Sequence, residues 1–187
     1  MGRAKAMLPV GEEVMLQRVV RIQSSAMPPV IVVAAAYHDL PELPSGVLVA
    51  HYEREYLGPL AGIGGGRRAL PEEIDAAYCT SCDVPLLKRE FIQAIVSRLG
   101  AHDAAVVRED GFFHPLAAVY RRSLVPAIAD LVAEDRLRPL FLIQSVNTRA
   151  VDAEELRAVD PDRASLRNIN TLEDYSAVLE TIERVEH

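Results

Sequence analysis

The chain has 187 residues, half of them apolar, and a formal charge of −7. That length bounds it to one sizeable core, and the acidic balance weighs against a general nucleic-acid binder, which carries a basic footprint. No apolar run approaches the ~20 residues that cross a bilayer, and no apolar signal segment precedes Pro9 and the Glu12-Glu13 pair, so the expectation is a single cytoplasmic domain over 1–187, partnered by neither nucleic acid nor membrane.

In chain order, Met15, Val19 and Ile22 recur at helical spacing and predict a helix over 13–24. The run Val30-Ile31-Val32-Val33-Ala34 predicts a buried strand, and 46–50 a second one. A glycine-weakened helix over 61–70 and a strand over 76–82 follow. Leu87, Phe91, Ile95 and Leu99 share one face of a helix over 87–99, with Gly100 as its stop. Strands are predicted over 103–107 and 116–120. Ser123 is the expected cap of a helix that turns Leu124, Ile128, Leu131 and Val132 inward, with Pro126 confined to the first turn. The last helix opens at Asn170-Thr171, where Asp174 completes a capping box, and continues through Tyr175, Leu179 and Ile182. Strands alternating with helices predict an α/β fold: a mainly parallel sheet with helices on both faces. Short basic groups stand at Arg3/Lys5, Arg67/Arg68, Arg121/Arg122 and Arg163/Arg167, and most of them are expected on solvated faces.

The segment Thr80-Ser81-Cys82-Asp83-Val84-Pro85 puts a carboxylate where a strand gives way to a turn, the place where open α/β sheets bind ligands. Asp83 is either a ligand for a hard cation that also takes substrate phosphate oxygens, or the start of a turn before Pro85. The glycines between Gly58 and Gly66 either let backbone approach a base or ribose, or let a helix lie close on the sheet. Lys5 is a point charge for phosphates or a solvated terminal lysine. His114-Pro115 precedes the strand at 116. Asn168 and Asn170 can point from one side of an extended segment toward a polar ring, although a helix cap is the more usual role for an isolated Asn at the position of Asn170. Cys79 and Cys82 form one C-x-x-C, open to redox activity or to half a zinc site, but no second Cys/His pair at zinc spacing accompanies it, and the two are expected as buried or near-buried strand thiols.

Taken in order, these pieces resemble the molybdenum cofactor guanylyltransferase family of nucleotidyltransferases. The family's opening signature ends in Arg-Met-Gly-x-Asp-Lys, and here the chain reads Met1-Gly2-Arg3-Ala4-Lys5. Its Gly-Pro-Leu-x-Gly is matched by Gly58-Pro59-Leu60-Ala61-Gly62, and its Cys-Asp-x-Pro by Cys82-Asp83-Val84-Pro85. Its His/Gln-Pro and following strand are matched at His114-Pro115, and its Asn-x-Asn-Thr at Asn168-Ile169-Asn170-Thr171.

The resemblance implies a three-layer Rossmann-like nucleotidyltransferase fold and transfer of GMP from GTP to the phosphate of molybdopterin, with Mg²⁺ and release of pyrophosphate. By the same resemblance Asp83 holds the metal and Lys5 is catalytic; Gly58, Pro59, Leu60 and Gly62 join them at the nucleotide; His114, Asn168 and Asn170 face the pterin. Apo-molybdoenzymes or their chaperones are the implied protein partners. The chain departs from the pattern in four places. The family's first strand and its Leu-Ala-Gly-Gly loop are absent, which leads to the expectation that the recorded start lies downstream of the natural one. Ala4 replaces the Asp before the lysine, Ala34-Ala35-Ala36 stand where many members carry Asn, and of His51, Tyr52 and Glu53, where the family usually offers Asp ahead of Gly58, only Glu53 could substitute as a carboxylate. The alternatives are a nucleotidyltransferase using CTP or a sugar or alditol phosphate acceptor, and an inactive molybdopterin-binding paralogue.

Overall fold

The computed structural model describes residues 4–51 and 58–186. Two short strands, β1 (Pro9–Val10) and β2 (Glu13–Val14), pair as an antiparallel ribbon and lead into helix α1 (Met15–Ala26). The Gln17 side chain accepts the Val14 N–H at 3.0 Å and so satisfies one of the donors left over at the helix start. α1 buries Met15, Leu16, Val19 and Val20, the stripe that the helical period anticipates.

Strands β3 (Ile31–Ala34) and β4 (Leu48–His51) then pair in parallel. Helix α2 (Gly58–Ala69) starts three residues earlier than expected. Its glycines answer to close packing: a Cβ on Gly64 would lie 2.7 Å from Cγ2 of Ile128, and one on Gly66 would lie 3.1 Å from Cγ2 of Val33.

The larger sheet has the order β5 (Ala76–Thr80), β7 (Phe112–Arg121), β6 (Ala104–Glu109), β8 (Thr148–Asp152). β7 is antiparallel to both β5 and β6, while β8 is parallel to β6. Three of the four strands therefore run one way, and β7 alone reverses. Helix α3 (Arg89–Ser97) follows β5, α4 (Val125–Ala133) and α5 (Pro139–Ser145) follow β7, and α6 (Leu172–Glu186) closes the chain.

The period-2 alternation of β6 and β7 sorts the core into layers. Ala105, Val107, Ala117 and Val119 face α1 and α3. Ala104, Val106, Ala118 and Tyr120 face α2, α4 and α5. Helices on both faces of the sheet make the three-layer α/β fold.

Several local expectations change. β7 runs from residue 112, so His114 and Pro115 lie inside the strand and not before it. The β6–β7 register jumps from Val106↔Ala118 to Val107↔His114. The bulge accommodates Pro115, which has no N–H to give to a ladder, and the Tyr120 hydroxyl donates to its carbonyl at 2.9 Å. Ser123 lies in a 3-10 turn (Arg122–Leu124) and makes no side-chain cap; α4 starts instead with Pro126 in its first turn. On α6 it is Val178, with Ile182, that is buried, and Leu179 is half-buried. Arg67 is 1% exposed and belongs to the interior, not to a solvated face.

Among the described residues β3 is hydrogen-bonded only to β4, and β5 only to β7. Between the two remaining edges lies a cavity of about 910 Å³, lined by residues 31–34 of β3, residues 76–80 of β5, and side chains of α1 and α2.

Candidate active site

One small core draws the two ends of the chain together. Leu8, Val10 and Met15 share a buried cluster with Ile169, Val178 and Ile182, so residues 5–10 are seated against the segment that precedes α6. That segment is also clamped to the turn beyond β5, because the Ile169 N–H donates to the Asp83 carbonyl at 3.0 Å. Farther back, the buried carboxylate of Asp160 accepts the Ser165 N–H at 2.8 Å and pairs with Lys88 Nζ at 2.8 Å. The Ser165 hydroxyl in turn accepts the Lys88 N–H at the start of α3, at 3.1 Å. On the other side of the turn, Arg18 Nε of α1 donates to the Pro85 carbonyl at 2.9 Å.

Held in this way, four side chains meet. Lys5 Nζ lies 2.9 Å from Asp83 Oδ2 and 2.9 Å from Asn170 Oδ1. Asn168 Nδ2 donates to Asp83 Oδ1 at 2.7 Å and to Ser81 Oγ at 3.3 Å. The Asp83 side chain is 13% exposed and that of Lys5 35%, so the pair sits at a rim open to a ligand. Burial works against ionisation of Asp83, but hydrogen bonds from Ser81, Lys5 and Asn168, together with the lysine charge, outweigh it and hold the carboxyl below its ordinary range.

The alternative roles of these residues separate in the structure. Asp83 is no mere turn starter, since both carboxylate oxygens are engaged by side chains far away in sequence. Lys5 is not simply solvated. The cap of α6 is made by Thr171 and Asp174: the Asp174 N–H donates to Thr171 Oγ1 at 3.1 Å and the Thr171 N–H to Asp174 Oδ2 at 2.8 Å. Asn170 gives that cap only its backbone N–H, at 2.9 Å, and its side chain is left for Lys5.

Other candidates fall elsewhere. Pro59 and Gly62 line the cavity between β3 and β5, as do Lys5 and Ser81. Gly58 takes a φ of +68° at the start of α2, a conformation suited to glycine. Leu60 is fully buried among Ile63, Tyr120 and Ile128, so its side chain is core and cannot lie against a nucleoside. His114 Nε2 is 3.3 Å from Glu109, whose other partner is Arg163, and no described contact joins it to the Lys5–Asp83 group. Glu53 lies outside the described residues. Burial pushes the Cys79 thiol up to about 12, and Cys82 is raised too, so neither is a ready nucleophile. Sequence reasoning passed over two supports: Ser81, adjacent to the motif it serves, and Arg18, for which no local signal exists.

No group of three or more His, Cys, Asp or Glu is clustered for a metal among the described residues. Asp83 is a lone carboxylate whose Oδ2 already faces an ammonium, which suits a hard cation that keeps its waters and arrives with phosphate oxygens better than one held in a protein cage.

The class that this fold and site define is a nucleotidyltransferase. Residues 1–150 match the MobA-like NTP transferase domain, and the chain belongs to that family. Over 181 residues it is 36% identical to the Mycobacterium ulcerans (strain Agy99) protein named "Probable molybdenum cofactor guanylyltransferase", covering 95% of this chain and 86% of the relative. Molybdopterin-guanine dinucleotide biosynthesis protein A from Archaeoglobus fulgidus superposes with a TM-score of 0.79 over 98% of this chain and 92% of its own, at 18% identity. The 2-C-methyl-D-erythritol 4-phosphate cytidylyltransferase of Thermus thermophilus superposes with a TM-score of 0.72 over 96% and 93%, at 13% identity. At such identities these two likenesses speak for the fold alone. No described helix is long and apolar enough to cross a membrane.

Proposed function

We propose that the chain transfers GMP from GTP to the terminal phosphate of molybdopterin, forming the guanine dinucleotide cofactor and pyrophosphate. The observation that carries this reading is the convergence of Lys5, Asp83, Asn168 and Asn170 at one rim, in a chain whose family relatives bear the guanylyltransferase name.

In this reaction an oxygen of the acceptor phosphate attacks the α-phosphorus of GTP; the new P–O bond forms as the bond to the bridging oxygen breaks, and pyrophosphate leaves with that electron pair. Mg²⁺ held by Asp83 would neutralise phosphate charge and draw electron density from the phosphorus. The ammonium of Lys5 lies within reach of the same phosphates and offsets the negative charge that builds between two anionic reactants. Asn168 fixes the carboxylate plane of Asp83 through Oδ1, which leaves the Oδ2 side turned toward Lys5 and the ligand. Asn170 holds the lysine through Oδ1, and its amide N–H₂ would donate to the acceptor. Because Asp83 is held ionised, the site is charged and ready for a cation at neutral pH.

The test is a pyrophosphate-release assay with Mg²⁺, molybdopterin and either GTP or CTP, with the dinucleotide product identified by mass. Product with GTP and none with CTP is expected. Turnover with CTP alone moves the chain to the cytidylyl reading, and no turnover together with no nucleotide-dependent rise in melting temperature removes the enzyme reading for this chain.

A further inference from the structure

We propose that Lys5 is a resident counter-ion that keeps Asp83 closed to a free divalent cation, so that the site takes its metal only together with nucleotide phosphates that draw the ammonium away. This order of filling rests on Asp83 being the metal ligand of the proposed transferase. Lys5 Nζ stands 2.9 Å from Asp83 Oδ2, and Asn168 Nδ2 stands 2.7 Å from Oδ1, so neither carboxylate oxygen is without a donor. A magnesium–oxygen bond is ~2.0–2.1 Å long. A cation taken up on Oδ2 would therefore lie within about 5 Å of the ammonium.

Charge decides whether such a cation is held. The Lys5–Asp83 pair is neutral as it stands, and among the described residues no group of three or more His, Cys, Asp or Glu is gathered for a metal. One further carboxylate, Asp174, lies close enough for the lysine charge to act on it, but its Oδ2 already accepts the Asn170 and Thr171 N–H groups at 2.9 and 2.8 Å. A divalent ion that arrives alone meets a like charge with no surplus of negative charge to offset it. Even with the screening of water, a monovalent and a divalent cation about 5 Å apart weaken one another's binding roughly tenfold. A nucleoside triphosphate reverses that balance, because its phosphates are anionic and ligate the cation themselves.

The ammonium also has a second hold. Asn170 Oδ1 accepts from the same nitrogen at 2.9 Å, and that bond can persist while the contact with Asp83 is exchanged for phosphate oxygens. The Lys5 side chain is the more exposed of the ion pair, which leaves it open to an incoming phosphate. Asn168 meanwhile stays on Oδ1, and its Nδ2 is held in turn by Ser81 Oγ at 3.3 Å, so the carboxylate keeps its place when the lysine leaves. Lys5 therefore has two tasks in sequence: it blocks Oδ2 in the free protein and neutralises phosphate charge once the nucleotide is bound. Metal and nucleotide then raise one another's affinity, an effect that linkage makes reciprocal.

The experiment uses the full chain and Mn²⁺ as the probe, whose electron paramagnetic resonance signal separates free from bound ion. Mn²⁺ is titrated without nucleotide into the parent protein and into Lys5→Gln, Lys5→Met and Lys5→Arg, each shown to be folded by a thermal melt. Lys5→Gln and Lys5→Met are expected to bind Mn²⁺ roughly tenfold more tightly than the parent, and Lys5→Arg, which keeps the charge, as weakly as the parent. Adding Asp83→Asn to Lys5→Gln should erase the gain. Equal affinity in all four proteins, or a gain that survives Asp83→Asn, overturns the proposal. Equilibrium dialysis of GTP with and without Mn²⁺ keeps the block apart from the metal role itself. GTP binding that Mn²⁺ strengthens in the parent and not in Asp83→Asn supports Asp83 as the ligand, whatever the titrations say of Lys5. GTP binding that ignores Mn²⁺ in the parent removes the metal role and the block with it. None of these readouts needs turnover, so their failure is distinct from failure of the guanylyltransferase reading.

Discussion

Lys5 and Asn170, 165 positions apart, are joined by a hydrogen bond of 2.9 Å, and the same ammonium is ion-paired to Asp83. The nitrogen that would meet the phosphates is thus fixed by two groups. Lys5→Gln keeps a hydrogen-bonding head and removes the charge. Loss of one preorganised charge contact typically costs ~10²–10³ in turnover, so kcat is expected to fall by about that factor with a smaller change in KM for GTP. The pair is partly exposed, and pairs of that kind contribute little to stability; the melting temperature should barely move. Steady-state kinetics beside a thermal melt checks both halves.

Asp83→Ala removes the carboxylate that three side chains address. Magnesium-dependent transfer should be abolished. The variant takes one acceptor each from Lys5, which keeps Asn170 Oδ1, and from Asn168, which keeps Ser81 Oγ, and both reach water at the rim, so the expected cost lies near the lower end of the ~1–3 kcal/mol for an unmet hydrogen-bonding group. A variant that retains transfer would take Asp83 out of the metal role, and urea denaturation reads the stability.

Asn170 and Thr171 are adjacent and do different work. Thr171→Ala breaks the cap of α6 and should cost ~1 kcal/mol of stability, with activity retained. Asn170→Ala leaves the backbone N–H to Asp174 in place and should weaken acceptor binding more than nucleotide binding, with little change in the melting point. Equal loss of both affinities would return Asn170 to a purely structural part.

Acid should act through Asp83 in a defined direction. Its folded pKa is depressed, so between that value and the ordinary ~4 of an unfolded aspartate the unfolded chain binds more protons and stability rises with pH. The contribution is complete above about pH 4 and is lost as pH falls through the folded value. Asp174, depressed by the backbone N–H groups of Asn170 and Thr171, behaves in the same sense. Asp83→Asn should lower the neutral plateau of a melting-temperature profile and so flatten its acid limb, with little change at the acid end; an unchanged acid limb would deny the carboxylate its linkage.

Much of this arrangement was legible because it is local. The apolar run at Val30–Ala34, the helical stripe of α1 and the Thr171/Asp174 box each declare themselves within a few residues. The position of Asp83 beyond β5 follows from where the apolar run stops. What sequence could not give depends on contacts between distant segments. β8 reads Thr-Arg-Ala-Val-Asp and buries only Val151, so neither alternation nor a continuous apolar run marks it. α5 has seven residues and opens on Pro139, too short for a periodic stripe. The reversal of β7, and its bulge at Pro115, arise from pairing with β6. The burial of Leu60, whose side chain enters the core, and of Arg67, which the charge pattern puts outside, is set by how α2 lies on the sheet.

Two adjacent glycines of α2 separate packing from propensity. Each replaced by alanine gains helix propensity, by ~0.5–1 kcal/mol. At Gly65 the nearest atom to an added Cβ is Cγ1 of Val33 at 4.0 Å, so nothing opposes that gain, and Gly65→Ala should stabilise the chain by about that amount. At Gly64 the Cβ would meet Cγ2 of Ile128 at 2.7 Å, with Cβ of the same residue at 3.7 Å. Ile128 is 2% exposed and stands in the cluster that also holds Leu60 and Tyr120, and as a β-branched side chain it has little rotamer freedom with which to withdraw. α2 and α4 would have to separate, and overpacking of this kind costs ~1–3 kcal/mol, more than the propensity returns. Gly64→Ala should therefore lower the urea midpoint while Gly65→Ala raises it. A common sign for the two would mean that α2 does not sit on α4 as closely as the Gly64–Ile128 contact requires.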